Sequence, residues 1–320
     1  MQRNRKELLS SALFLLGLVI LLVLVSLVFK PKDNTKAAGM EDVTANGFLG
    51  EAEQTLDVLF LSDSVGYCSI IPMQIWRDYG ITSYVCGTPA QPLYYSKEFL
   101  EKALTTQSPK VVVLETMPIF KEFEGKEEVK NTMERVLPIF RYHDRWKDFG
   151  TMLKQDFNLQ VEYTYQDVSK GYRYSMATES VDAGNYPQTV ESVANIPKEC
   201  KEKVKEIKDI CDDHGAKLVL VGIPNVFTWS ADRYNALVLL AEELGVTYIE
   251  MNFMQEEVPI DWTTDCYDAG EHLNYLGAQK ATAYLGKYLW DLDVFVDKRG
   301  DEEYASWKEA EKEFYESVVD

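Results

Sequence analysis

Four short stretches of the chain are apolar almost without interruption: 56–61, broken only by Asp57, then 110–114, 217–223 and 246–250. Alternation of apolar and polar residues marks a strand with one wet face. Runs without alternation mark strands buried on both faces, as in parallel sheets. The segments between them have helical spacing. Ile71, Ile75 and Tyr79 share a side of 65–79, and Tyr95, Phe99 and Ala103 a side of 92–106. Val204, Ile207 and Ile210–Cys211 face inward along 198–214, which Gly215 closes; 231–244 ends at Gly245, and 274–290 is the last main helix. With 81–86 as a further strand, the order predicts an α/β fold: a doubly wound, mostly parallel five-stranded sheet in a three-layer sandwich.

The alternation stops near Pro118 and resumes at Pro197. Residues 119–196 are rich in aromatics and charges (Tyr142, His143, Arg145, Trp146, Phe157, Tyr163, Tyr172) and read as a mixed insertion folded over the sheet edge. That aromatic content argues against disorder. The expected organisation is a tip and anchor over 1–30, a linker over 31–55, the α/β domain over 56–295 and an acidic amphipathic helix within 296–320. On that last helix Tyr304, Trp307, Ala310, Phe314 and Val318 recur at helical spacing. It either docks on the domain or serves a partner.

Leu8 to Phe29 is a run of 22 residues without a charge. At about 1.5 Å per residue it reaches roughly 33 Å, enough to cross a bilayer. A cleaved signal peptide is the rival reading, but signal cores run about 7–15 residues. An uncleaved anchor is therefore expected. Basic residues flank both ends, so charge alone leaves orientation open. An anchor so near the N-terminus usually leaves the bulk of the chain outside, which predicts a single-pass membrane protein with an extracytoplasmic domain.

The formal charge is −19, and residues 1–36 carry a net +4, leaving −23 on the remainder. A domain so acidic is a poor nucleic-acid binder and repels polyphosphate unless a local basic patch intervenes. The five cysteines, Cys68, Cys86, Cys200, Cys211 and Cys266, form no CxxC pair, so neither a zinc site nor a disulfide framework is expected. Small buried hydrophobes are the simpler reading. No Walker, Gly-x-Gly-x-x-Gly or His-Glu-x-x-His motif occurs, and no cofactor or metal is expected.

Two segments carry chemistry. Ser64 closes Asp57-Val-Leu-Phe-Leu-Ser-Asp-Ser64, after the first strand and before the first helix. That is the carboxyl edge of the sheet, where open α/β folds bind ligands and helix-start N–H groups stabilise an oxyanion. An ordinary N-cap serine fits the same place. His272 is one of three histidines and lies in Asp268-Ala-Gly-Glu-His272, before the final helix. Asp268 is near enough in sequence to hold its imidazole, leaving Nε2 to take a proton from Ser64.

These segments resemble the SGNH (GDSL-type) hydrolase superfamily. Ser62-Asp63-Ser64 is similar to its Gly-Asp-Ser block, Gly87 to its second-strand glycine, and Asp268 to His272 to its Asp-x-x-His block. The likeness covers about 56–118 and 197–290. Ser62 stands where the family has glycine, three residues instead of two separate Asp268 from His272, and Asp265 is an alternative acid. The Gly-x-Asn-Asp block is absent, since the matching strand ends Leu114-Glu-Thr-Met-Pro118. The resemblance implies Ser64 as nucleophile, His272 as base, Asp268 as orienting acid, and an oxyanion hole from Ser64 and Gly87 N–H with the Thr116 hydroxyl. Branches without that block include envelope acyl-transfer proteins that work beside a membrane-bound O-acyltransferase. This implies an esterase or O-acyltransferase acting on a cell-envelope polysaccharide or acylated polymer of a Gram-positive bacterium. A catalytically degraded scaffold is the second reading. His143, Arg145 and Trp146 are expected to line a sugar-binding cleft, with 171–175 as the facing wall.

Overall fold

A computed structural model describes residues 2–148, 157 and 160–319. The rest of the insertion, 149–156 with 158 and 159, lies outside the described residues. The chain divides into two compact units: Met1–Val43 with Phe123–Tyr165, and Thr44–Glu122 with Gln166–Asp320.

The larger unit holds the sheet. Its strands are β1 Val58–Ser62, β2 Ser83–Gly87, β3 Val111–Glu115, β4 Lys217–Gly222 and β5 Thr247–Glu250. They lie in the order β2-β1-β3-β4-β5, every pair parallel. β1 and β3 are buried along their whole length, as unbroken apolar runs require. Side chains of alternate parity feed opposite layers. Val58 and Phe60 join Ile75 and Leu285 in one cluster. The helices there are α2 Ser64–Ser69, α3 Pro72–Tyr79 and, at the end of the sheet's chain path, Tyr275–Asp291. The opposite layer is formed by α4 Leu93–Ala103 and the helix Lys198–Asp213. Each fully buried side chain of Phe60's size contributes about 1.5–3 kcal/mol.

The helix expected over 65–79 is two helices. Pro72 sits in the first turn of α3, and Ile71 before it is extended (φ −106°, ψ 94°). Proline clashes with a helical residue preceding it, so the first helix must stop. The linker expected over 31–55 also ends early. Phe48 is wholly buried, and Tyr84 Oη donates to the Thr44 carbonyl at 2.6 Å, so 44–55 belongs to the α/β unit. Apolar Phe48 and Leu49 are what a polar tether would lack.

The insertion does not hold together as one body. Residues 166–196 stay with the sheet: Val85 N–H donates to the Lys170 carbonyl at 2.9 Å, extending the edge at β2. Residues 123–165 instead join the N-terminal segment. In that smaller unit, α1 Gln2–Phe29 contains a span of 25 residues whose most apolar 18-residue window has a mean hydropathy of 3.2, long and apolar enough to cross a membrane. It is followed by α5 Gly125–Val136 and the short α6 Ile139–Tyr142. We number the later helices α7 Lys198–Asp213, α8 Ala231–Leu244, α9 Tyr275–Asp291 and α10 Ala305–Val319. α10 docks on α3, with Trp307 against Trp76 at 5.5 Å between ring centroids.

Candidate active site

The parallel register brings three residues to the carboxyl edge of the sheet. Ser62 on β1 pairs with Gly87 on β2, and Leu61 with Leu114, so Glu115 follows beside Ser62. The chain then turns into α2. Val65 N–H donates to Asp63 Oδ1 at 2.9 Å, which makes Asp63 the N-cap and places Ser64 at the first helical position. The ordinary capping role open to Ser64 is thus filled by its neighbour. Ser64 is half-exposed, while Ser62 is fully buried.

The close packing here depends on two glycines. A Cβ on Gly66 would lie 2.3 Å from Ser62 Cβ, and one on Gly87 would lie 2.9 Å from the Tyr67 ring. Ser62, in place of a glycine, is accommodated because Gly66 vacates the space opposite.

His272 is held on every side but one. Its Nδ1 is hydrogen-bonded to Asp268 Oδ2, and its backbone N–H donates to Asp268 Oδ1 at 2.7 Å. The Tyr267 ring stacks on the imidazole at 5.5 Å, and Tyr267 Oη meets Cys68 Sγ of α2 at 3.2 Å. The histidine loop is thereby tied to the serine helix. Nε2 is buried and has no hydrogen-bond partner, so no hydrogen bond joins Ser64 to His272. The imidazole nevertheless lies within electrostatic reach of the Asp63–Ser64 turn. Burial pushes the Asp63 carboxyl above its ordinary value, opposed by the Val65 N–H and by His272 and Lys121. Asp265 is engaged elsewhere: it is buried and pairs with Lys280 Nζ at 2.6 Å. Asp268, Glu271 and His272 bring ligand atoms within 4.8 Å of one another, a donor set that suits a cation. In this structure the Asp268 and His272 atoms are engaged with each other.

One neighbour escaped the sequence reading. Glu115 is buried at the end of β3, where Met117 N–H donates to Oε1 at 2.7 Å and Oε2 has no partner. Burial, and then the adjacent Asp63 charge, raise its carboxyl well above the usual range. A glutamate ending an otherwise apolar strand was the available signal. Arg173, within the segment expected as a facing wall, is a further neighbour. Its N–H donates to the Tyr67 carbonyl at 2.8 Å, and its side chain bonds the Tyr67 hydroxyl. The segment 171–175 therefore lies against α2. Thr116 is buried, and its N–H is committed to the Val221 carbonyl at 3.1 Å.

His143, Arg145 and Trp146 are in the smaller unit. Arg145 donates to the Phe29 carbonyl at the end of α1, while His143 and Trp146 are exposed. In the larger unit a cleft of about 410 Å³ opens beyond β4 and β5, lined by Tyr186, Asn252 and Trp262 and not by Ser64 or His272. All five cysteines are free and buried, and burial pushes the Cys68 thiol up to about 11.

No protein-family model matches the chain, and no curated protein does. Solved structures similar to it are acylhydrolases, lipases and esterases. A lipase/acylhydrolase from Enterococcus faecalis is 12% identical, with 74% of this chain and 96% of that one covered and a TM-score of 0.38. The acetyl xylan esterase AlAXEase is 12% identical, with coverages of 74% and 99% and a TM-score of 0.39. A GDSL-like lipase from Bacteroides thetaiotaomicron is 11% identical, with coverages of 78% and 99% and a TM-score of 0.37. With every score below 0.5, the case for this site rests on its own residues.

Proposed function

We propose that this chain is a serine esterase or O-acyltransferase working through an acyl-enzyme on Ser64. The observation that carries the reading is the His272 imidazole, locked by Asp268, with Nε2 buried and unpartnered and the ring within electrostatic reach of Asp63, which caps the serine helix. With a substrate ester in place, Nε2 takes the Ser64 hydroxyl proton as Oγ attacks the carbonyl carbon. Backbone N–H groups of Ser64 and Gly87 face the developing oxyanion, with Thr116 near the same edge. His272 then returns the proton to the leaving alcohol. Water as acceptor gives hydrolysis, and a sugar hydroxyl gives transfer. Asp268 keeps the imidazole in the tautomer this requires.

In this reading α1 anchors the chain in the cell membrane with the α/β unit outside. The substrate is an envelope glycan or acylated polymer, and a membrane-bound O-acyltransferase is the partner that supplies acyl groups. The extended edge at β2 and the half-exposed serine suit a large polymeric acceptor.

A second reading has its own support. The Ser64–His272 hydrogen bond is unmade, and β3 ends in a buried glutamate with no asparagine after it to donate to an oxyanion. A catalytically degraded scaffold would look the same at rest. A fluorophosphonate probe separates the two. Labelling of the full chain that disappears in Ser64→Ala, together with loss of aryl acetate turnover, supports the enzyme; an unlabelled wild-type protein would sink it and leave the scaffold.

A further inference from the structure

In the smaller unit, α5 is amphipathic in the wrong sense for water. Val129, Met133 and Val136 recur at i, i+4 and i+7 and are 59%, 50% and 68% exposed. The inward face is polar. Asn131 is buried and accepts from Arg141 Nη2 at 2.7 Å, and Glu134 approaches the same guanidinium at 3.7 Å. A helix on a soluble surface shows the reverse pattern. Phe140 and Trp146, later in the same segment, are exposed as well. So many exposed apolar side chains in one segment mark a surface that something apolar covers.

The attachments of this segment say what covers it. Ile139 N–H donates to Ser26 Oγ at 3.2 Å, and Arg145 donates to the Phe29 carbonyl. Both acceptors are in the last turn of α1. Ser26 is three residues before the helix end, or about 5 Å along its axis. Only 6% of the most apolar window of α1 is buried, so its sides are open to lipid. The segment 125–147 is therefore fixed at the level where hydrocarbon gives way to headgroups, and tryptophan is favoured at that depth. α5 carries Lys126, Lys130 and Arg135 against Glu127, Glu128 and Glu134, so its seat does not depend on anionic lipid.

We propose that the apolar face of α5, with Phe140 and Trp146, lies in the interface of the bilayer that α1 spans, so that α1 and this segment form one membrane-seated platform. The inference rests on the membrane-anchor reading of α1. An interfacial helix with apolar residues on one side and polar groups on the other is a recognised mode of peripheral insertion.

The test is photolabelling of the full chain in phosphatidylcholine vesicles doped with a diazirine-bearing phosphatidylcholine, with adducts mapped by peptide mass spectrometry. Adducts are expected within 8–29 and also on the peptides carrying Met133, Phe140 and Trp146. Replacing Val129, Met133 and Val136 together by serine should cut the 125–147 labelling several-fold and leave 8–29 labelled. Adducts on 8–29 alone overturn the proposal and point to a protein partner for the segment. Adducts on neither segment overturn the anchor reading and the proposal with it. Labelling of 125–147 that appears only when phosphatidylglycerol is added also overturns it, because an apolar seat needs no lipid charge.

Discussion

Asp268 and Asp265 lie three residues apart and do different work. Asp268 bonds both the ring and the backbone of His272, whereas Asp265 is closed off by Lys280. Asp268→Asn should therefore slow fluorophosphonate labelling of Ser64 by about 10²–10⁴-fold, through loss of the imidazole tautomer. Asp265→Asn should leave that rate within a few-fold while lowering stability. Equal losses in the two variants would show that the acid has been misassigned. Glu115 makes a separate residue-scale case. Its folded carboxyl is raised above the unfolded value, chiefly by burial. Such a group stabilises the fold fully below the unfolded pKa, and that contribution is lost as pH rises toward the folded value. Wild-type stability should thus decline from about pH 4.5 upward, and Glu115→Gln should flatten that decline in denaturant titrations. An unchanged pH slope would show that Glu115 is ionised in the fold.

Among the elements, the strands were legible because a doubly covered parallel sheet writes itself as unbroken apolar runs, 56–61 and 110–114 above all. The order of the layers followed from the alternation with helices. What could not be read was contact at close quarters. The break between α2 and α3 was signalled by Pro72, but apolar periodicity ran straight through it. Ser62 reads in the sequence only as a departure from the family's glycine, because nothing in one sequence links it to Gly66. The structure shows the two sharing one space. Gly66→Ala forces a Cβ to 2.3 Å from Ser62 Cβ, and overpacking of this kind costs about 1–3 kcal/mol. Adding Ser62→Gly removes the obstructing side chain, and the next neighbour is Glu115 Cβ at 3.6 Å. The double variant should recover most of the loss in a double-mutant cycle. Additive losses would mean that the two positions do not share this space.

At the scale of the molecule, local pattern identified the α/β unit and the apolar span, but not the allegiance of the segments between them. Phe48, Lys170 and Trp307 come from regions read as linker, insertion and tail, yet all pack into the larger unit. A buried ion pair is central to that assembly. Lys170 Nζ lies 2.6 Å from Glu51 Oε1, both side chains are 1% exposed, and the ammonium sits 4.7 Å from the Trp307 ring centroid. One contact thus fastens residues from three distant parts of the chain. Removing one partner of a buried pair leaves an uncompensated charge, at a cost of about 3–5 kcal/mol. Lys170→Met should destabilise the full chain in detergent by this amount near neutral pH. The loss should depend on pH in a defined direction. Burial already raises the Glu51 carboxyl, while Lys170 pulls it down. Without the lysine the folded pKa rises further, so Glu51 is tolerated when protonated and opposes folding when charged. The deficit should then be smaller at pH 5 than at pH 8, and Lys170→Met with Glu51→Gln should recover much of it at the higher pH. A deficit independent of pH would show that lost packing on Trp307, not the stranded carboxylate, is what the lysine prevents.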